Sequence, residues 1–429
     1  MNKKAIFHTI IKDSVLVFLG AVLGLIALLL VHLLPTDPMR KHVYWSLDMI
    51  EKEFEDEILI EGYLPTLTGN FTDCLMLEHA IYVSDNHGIL DQVLNMYRSE
   101  SCETEDGWWP GYSLKDYLEN IPQPRETEYS RYWHGYLLVL KPLLLLTSFN
   151  TIRLLNSAVQ LMLAGSVVIQ LCRKKAYMLA RAFLISLPFL FFVSTYASLS
   201  LSICFYIMVM ALLAQLKYDG AFDRKGIYGE FFLMIGMATA YFDFLTYPLI
   251  TLVYPLCVFL YFHGKDMGGN LRKMISCSAR WFYGYIGLWA SKWLLTDLLT
   301  GSSAIKDALN TLTARTDSAE GYTRIGGFFN VILENIRAYG NGCYGILAVV
   351  ILIMLLRDIL KSDRGGRKRL PAGVPYILLA LYPLAWYFAA QNHSQEHWQF
   401  TCRILAGSVF AVLAGWAKVI GKEECGEGE

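Results

Sequence analysis

The sequence predicts an all-α polytopic membrane protein, with about ten transmembrane helices and a large extracytoplasmic first loop. Three observations predict it. Hydrophobic residues make up 55% of the chain and charged ones only 17%. With a mean hydropathy of +0.37, that suits a membrane bundle rather than two or three soluble cores. The apolar residues fall in runs long enough to cross a bilayer. Charge is also segregated, because Pro35 to His134 holds 20 of the 38 Asp and Glu residues but 7 of the 37 Lys and Arg. No basic stripe with interleaved aromatics points to nucleic acid.

Met1 to Lys12 carries Lys3, Lys4 and Lys12 and enters a run, Ser14 to Leu34, without charge. Its h-region is too long for a signal peptide and no small-x-small site follows, so residues 1–34 read as a cytoplasmic N-terminus and first span. Residues 35–134 form an extracytoplasmic loop subdomain. In it Leu47, Ile50, Phe54 and Ile58 fall at i, i+3, i+7 and i+11 among acidic residues, predicting an amphipathic helix. Gly107-Trp108-Trp109-Pro110-Gly111-Tyr112 reads as a rigid aromatic turn. Cys74 and Cys102 both lie in this loop; they pair if that side is oxidising, or act as small apolar residues if it is not.

Residues 135–420 form the transmembrane bundle. Tyr136–Thr147 is too short to span and is broken by Lys141-Pro142, so it reads as a re-entrant or interfacial helix. Spans are predicted at Asn150–Cys172, Tyr177–Thr195, Leu199–Leu216, Ile227–Phe244 and Thr246–Phe262. Four more follow at Ile275–Leu298, Gly342–Leu356, Pro371–Gln391 and Cys402–Ile420, with a second outer loop at 301–341. The connections Arg173–Lys175, Lys217–Lys225, Lys265–Lys273 and Arg357–Arg369 and the tail with Lys422 are all basic. The opposing connections Thr195–Ser200, Phe244–Thr246 and Asn392–Gln399 hold no Lys or Arg. The positive-inside rule then predicts an integral plasma-membrane protein with both termini cytoplasmic and an acidic, disordered tail at 421–429.

Polar groups in or beside spans are the candidate site, since charge there is costly. Asp243 stands among aromatics at the outer end of a span, as a solvated helix end or facing a lined cavity. Lys292 lies in the outer half of another span with Asp297 five residues on, as a local pair, a phosphate contact or a snorkelling lysine. His393 and His397 are i, i+4, a spacing that can put both imidazoles on one helix face as metal ligands. Bonding to a phosphate or sugar, with Glu396 adjacent and Arg403 as charge partner, is the reading preferred. Arg131, His134 and Lys141 sit beside Tyr132 and Trp133 as a cationic aromatic cluster or an interfacial belt. On the outer face these groups would enclose one cavity. Cations would hold a lipid-linked phosphate there and a carboxylate would activate a sugar hydroxyl.

This layout resembles the GT-C superfamily of integral-membrane glycosyltransferases that use polyprenyl-phosphate sugars. The resemblance rests on the first span, the large outer loop and the many later spans, and covers the whole chain as a pattern. It implies a catalytic acidic residue in the first loop, falling on Asp73 in Asn70-Phe71-Thr72-Asp73 or on Asp37 between Thr36 and Pro38. Asp73 is preferred, since Asp37 reads as a turn cap. No DxD or ExD lies beside the first span, and Glu53-Phe54-Glu55 has the spacing but sits on the amphipathic helix. The implied partners are a polyprenyl-phosphate-linked sugar, a glycan or lipid acceptor and the lipid bilayer; the cofactor stays open, a divalent cation being the candidate. The implied function is sugar transfer to a cell-envelope acceptor. The alternatives are a transporter or lipid flippase with Asp243 as coupling site, and a non-catalytic component of a polysaccharide system.

Overall fold

Among the described residues, five helical segments of the computed structural model are long and apolar enough to cross a bilayer: Ile6–His32, Phe149–Arg173, Leu199–Lys225, Leu370–Ala389 and Trp398–Ile420. Shorter apolar helices, Leu137–Leu146, Tyr177–Leu190, Ile250–His263 and Cys343–Arg357, pack with them. The structure describes residues 3–52, 58–61, 63, 66–101, 109–122, 125–319, 321–340, 342–361 and 370–420. Cys102, Glu53-Phe54-Glu55, Trp108, the Arg364–Arg369 run and the tail from 421 lie outside the described residues. The fold is that of an all-α membrane protein. A two-stranded antiparallel ribbon, β1 (Arg98–Glu100) with β2 (Arg125–Thr127), is the one sheet among the described residues.

Helix α1 (Lys3–His32) turns Phe18, Leu23 and Leu30 outward, each more than 60% exposed, and buries Val17, Ala21 and Leu28. An outward face this apolar fits a hydrocarbon solvent. The loop subdomain follows as α2 (Thr36–Tyr44), α3 (Leu47–Lys52), α4 (Asn70–Ile81), α5 (Ile89–Asn95) and α6 (Pro110–Leu118). The predicted helix through Ile58 does not reach it. Ile58 pairs with Leu67 in an antiparallel bridge instead. The described part of the predicted aromatic turn, Trp109 to Tyr112, is the start of α6, where Pro110 takes the first-turn position in which its missing N–H costs nothing. Helix α7 (Leu137–Leu146) continues through Pro142 rather than breaking there.

The bundle proper comprises α8 (Phe149–Arg173), α9 (Tyr177–Ser186), α10 (Phe192–Ala197), α11 (Leu199–Lys225), α12 (Tyr228–Phe242), α13 (Ile250–His263) and α14 (Met267–Thr300). Helix α8 starts where Ser148 Oγ accepts the Thr151 N–H. The predicted span Tyr177–Thr195 is discontinuous. Pro188 brings a 3₁₀ turn, Leu187–Leu190, and Phe191 takes a left-handed φ of 48° before α10 resumes. The segment 370–389 is likewise two helices, Val374–Ala380 and Tyr382–Ala389, the second opening on Pro383. Helices α12 and α14 touch backbone to backbone: a Cβ on Gly236 would fall on the Trp281 carbonyl, and one on Gly284 on that of Leu233. Small residues permit this approach within a membrane.

The second loop holds two helices, α15 (Ala304–Thr316) and α16 (Arg324–Arg337), before α17 (Gly342–Lys361). It meets the first loop through Arg131 and Asp307, whose Nη1 and Oδ2 are 2.9 Å apart, so both loops share one face. The other face gathers the start of α1, the early turns of α12 and α14 and the end of α13. Lys12–Glu230 (2.7 Å), Arg280–Glu230 (3.2 Å) and Arg280–Asp13 tie it together, beside His263–Asp219 (2.6 Å).

Candidate functional site

The loop subdomain is held on the bundle by charges aimed at helix ends. The first and last turns of a helix leave N–H and C=O groups without intrahelical partners, carrying partial charges that opposite ionic groups stabilise. Asp73, 1% exposed, accepts the backbone N–H of Leu199 (2.9 Å) and of Ser200 (2.8 Å) at the start of α11. The cations meet carbonyl ends. Lys141 Nζ donates to Ala80 O of α4 (2.8 Å), and Lys292 Nζ to Leu94 O (2.5 Å) and Val93 O (3.4 Å) of α5. Arg40 donates to Tyr117 O of α6 (2.5 Å), and His42 Nδ1 lies 2.7 Å from Leu144 O of α7.

The predicted roles of several residues change accordingly. Asp73 was expected as a general base, yet both its oxygens are engaged by backbone donors, so in this arrangement it caps a helix. Burial pushes its carboxyl up, while bonds from Ser200 and Leu199 and the charge of Arg153 pull it back. Asp37 is exposed in the first turn of α2. Asp243 is 3% exposed but closes its own turn: its carboxylate accepts the Thr246 N–H (3.0 Å) and Thr246 Oγ1–H (2.5 Å). The turn places Leu245 at a left-handed φ of 67°. Its carbonyl accepts from His393 Nε2 at 3.0 Å.

That bond holds Nε2 and leaves His393 Nδ1 buried without a partner. The His393 and His397 rings meet edge to face with centroids 4.9 Å apart, and His397 stacks on Phe400. Among the described residues no group of three His, Cys, Asp or Glu is placed to hold a metal ion. Arg403, wholly buried, is also engaged: it donates to Ser194 Oγ (2.5 Å) and to Gln399 O, over the ring of Phe191. Glu396 is exposed and accepts from Asn392 (2.9 Å), away from the buried groups.

Two polar neighbourhoods do form. One joins Arg315, missed by sequence reasoning, to Tyr132, His393 and His397. Arg315 Nη1 donates to Tyr132 Oη (2.7 Å) and lies within electrostatic reach of both imidazoles. The other gathers His79, His134 and Tyr136 with Lys141, Lys292 and His32. Tyr136 Oη lies 3.1 Å from His79 Nδ1 and 3.2 Å from His134 Nδ1. The His79 and His134 centroids are 4.8 Å apart, and His134 Nε2 bonds the Tyr129 carbonyl at 2.9 Å. Tyr132 and Trp133 are 3% and 0% exposed, so this segment is packed inside and is not an interfacial belt. Trp133 Nε1 donates to Leu288 O of α14 (2.8 Å), and Lys292 Nζ sits 5.8 Å from the Trp133 ring centroid. His79 and Tyr136 went unnoticed in the sequence. The available signal was a Glu78-His79 pair inside the apolar run Cys74 to Ile81.

A groove of about 770 Å³ runs from this cluster down the bundle. Its walls come from α7, α8, α11 and α12, with Met76 and Tyr136 at the loop end and Met210 and Phe231 at the other. From Phe231 to Phe242 along α12 is about 16 Å at 1.5 Å per residue. The lining is almost wholly apolar. Its polar members Asn156, Ser202 and Tyr206 satisfy one another, with Asn156 Nδ2 to Ser202 Oγ at 2.8 Å and Tyr206 Oη to Asn156 Oδ1 at 2.8 Å. Val139, Leu155, Met210 and Met234 on its rim are about half exposed, so it opens toward the lipid. No family model, curated protein or solved structure matches the chain.

Proposed function

We propose that this chain is a membrane glycosyltransferase of the GT-C type. It moves a sugar from a polyprenyl-phosphate donor to a cell-envelope acceptor on the outer face of the plasma membrane, with ten crossings and both termini cytoplasmic. One observation carries the reading. An apolar groove about 16 Å long, open to the lipid, ends at Tyr136, whose hydroxyl joins two buried imidazoles. A hydrocarbon chain fits the groove, and its polar head then comes to rest at Tyr136, whose hydroxyl bonds the two imidazoles. Lys141 spends one of its three N–H bonds on Ala80 O, leaving donors for a phosphate. Asp73 serves by fixing α4 to α11. The test is purified protein in nanodiscs with a polyprenyl-phosphate sugar and a glycan acceptor: release of polyprenyl phosphate supports the reading, and its absence across donors removes it.

The broken helices at Pro188–Phe191 and Leu381–Pro383 favour a second reading, a transporter or flippase, since discontinuous spans build such sites. Counterflow in proteoliposomes without polyprenyl phosphate release would select it.

A further inference from the structure

The hydrogen bonds around Tyr136 fix the tautomers of two histidines. A backbone carbonyl only accepts, so His134 Nε2 carries a hydrogen for Tyr129 O. A neutral His134 then has a lone pair on Nδ1, which accepts from the Tyr136 hydroxyl. Having given its one hydrogen there, the Tyr136 oxygen accepts from His79 Nδ1–H. His79 Nε2 is left with a lone pair. That atom is buried and has no partner, and its residue is wholly inaccessible. The condition of neutrality is met in this setting. Burial holds both imidazoles below the usual histidine range, helped at His79 by His134, Arg98 and His32 and opposed at His134 by its bond to Tyr129.

His32 repeats the pattern independently. Its Nδ1 lies 2.7 Å from Leu28 O and so donates, leaving a buried, unpartnered Nε2. Lys141 and Lys292 lie within electrostatic reach of His32, as His32 does of His79. Two bare acceptors, one of them within electrostatic reach of two ammonium groups, suit a ligand carrying both hydroxyl and anionic groups. His79 also lies one turn beyond Met76 on α4, and Met76 lines the groove.

We propose that His79, through Nε2, is the base that takes the proton of an acceptor hydroxyl admitted from the groove past Met76, a role that rests on the sugar-transfer reading above. The acceptor O–H bond breaks and its proton passes to Nε2. The freed oxygen bonds the anomeric carbon, the bond from that carbon to the phosphate oxygen breaks, and its electron pair leaves on polyprenyl phosphate. The imidazolium then hands the proton to the departing phosphate, which resets the site. The chain Tyr129 C=O, His134, Tyr136 keeps the His79 lone pair on Nε2, as second partners do for other histidine bases.

His79→Asn tests the role, since its amide keeps a donor for Tyr136 but cannot take a proton. With wild-type transfer established first, the variant is expected to bind the polyprenyl-phosphate sugar as wild type does and to lose transfer by about 100- to 10,000-fold. Transfer within threefold of wild type overturns the base while leaving the glycosyltransferase reading intact; no transfer by wild type overturns both. Long-range ¹H–¹⁵N spectra of ¹⁵N-histidine wild-type protein decide independently of any variant's folding. Hydrogen on His79 Nδ1 supports the inference, and hydrogen on Nε2 overturns it.

Discussion

Asp73 Oδ1 accepts the backbone N–H of Ser200 at 2.8 Å, joining residues 127 positions apart. Oδ2 does the same for Leu199, so the carboxylate sits on the N-terminus of α11 as a cap supplied from another helix. In Asp73→Asn one oxygen survives, but the amide nitrogen now faces a backbone N–H, donor against donor. The loss expected is about 1–3 kcal/mol, the penalty of an unsatisfied buried donor. It is read as a lower thermal midpoint in detergent, with any fall in transfer following the folded fraction. An unchanged midpoint with transfer abolished would return Asp73 to the role of base.

Lys292 makes the complementary contact at the carbonyl end of α5, and it is wholly buried. Lys292→Met keeps the length and the apolar stem but strands the Val93 and Leu94 carbonyls. Hydrogen exchange in α5 is expected to quicken at least tenfold, about 1.4 kcal/mol of local opening, with α14 amides unchanged. Equal acceleration in both helices would show that the contact supports the whole bundle.

Much of this was legible in the sequence, and the remainder has physical reasons for being hidden. The apolar runs of α1, α8 and α11 announce themselves because a helix in lipid must be apolar over its length. The breaks at Phe191 and Leu381 were missed because hydropathy is blind to backbone direction, although Pro188 and Pro383 were there to read. Charge that proves to be buried was marked at Lys141, Lys292, Asp243 and Arg403 as costly near a span, and at Asp73 through the family resemblance. Its partners were invisible, since each lies on a backbone group or hydroxyl whose position depends on tertiary packing. A backbone carbonyl leaves no trace in composition. His79 escaped for the opposite reason: a lone histidine in an apolar run looks like any core residue until Tyr136 is placed beside it.

The groove makes a separate prediction. Ala238 lines it on α12, and a Trp there would occupy space the hydrocarbon chain needs. Ala238→Trp is expected to weaken binding of a polyprenyl phosphate at least tenfold while leaving the thermal midpoint of the lipid-free protein within a few degrees. Water-soluble phosphate should bind the variant as it binds wild type. Undiminished binding of the lipid would mean that the chain lies elsewhere.

The buried histidines and Glu78 also set how stability varies with pH, with opposing signs. Burial takes His134 from 6.5 to about 3 and holds His79 below its ordinary value. A base depressed on folding gives stability that is complete above 6.5 and is lost as pH falls toward the folded value, at up to about 1.4 kcal/mol per pH unit per histidine. Glu78 is raised from 4.5 to about 7, first by burial and against its bond from Ser99. An acid raised on folding gives the reverse: its contribution is complete below 4.5 and is lost as pH climbs to 7. Between 6.5 and 4.5 the two trends offset each other in part. Below 4.5 Glu78 is protonated folded or unfolded, and the histidine loss stands, with Asp73, raised in the same sense as Glu78, still opposing it. The thermal midpoint should therefore change gently from pH 6.5 to 4.5 and fall more steeply below it. In His134→Gln, which has no imidazole to charge, the steep limb should flatten. A limb of the same slope in that variant would assign the acid loss to other groups.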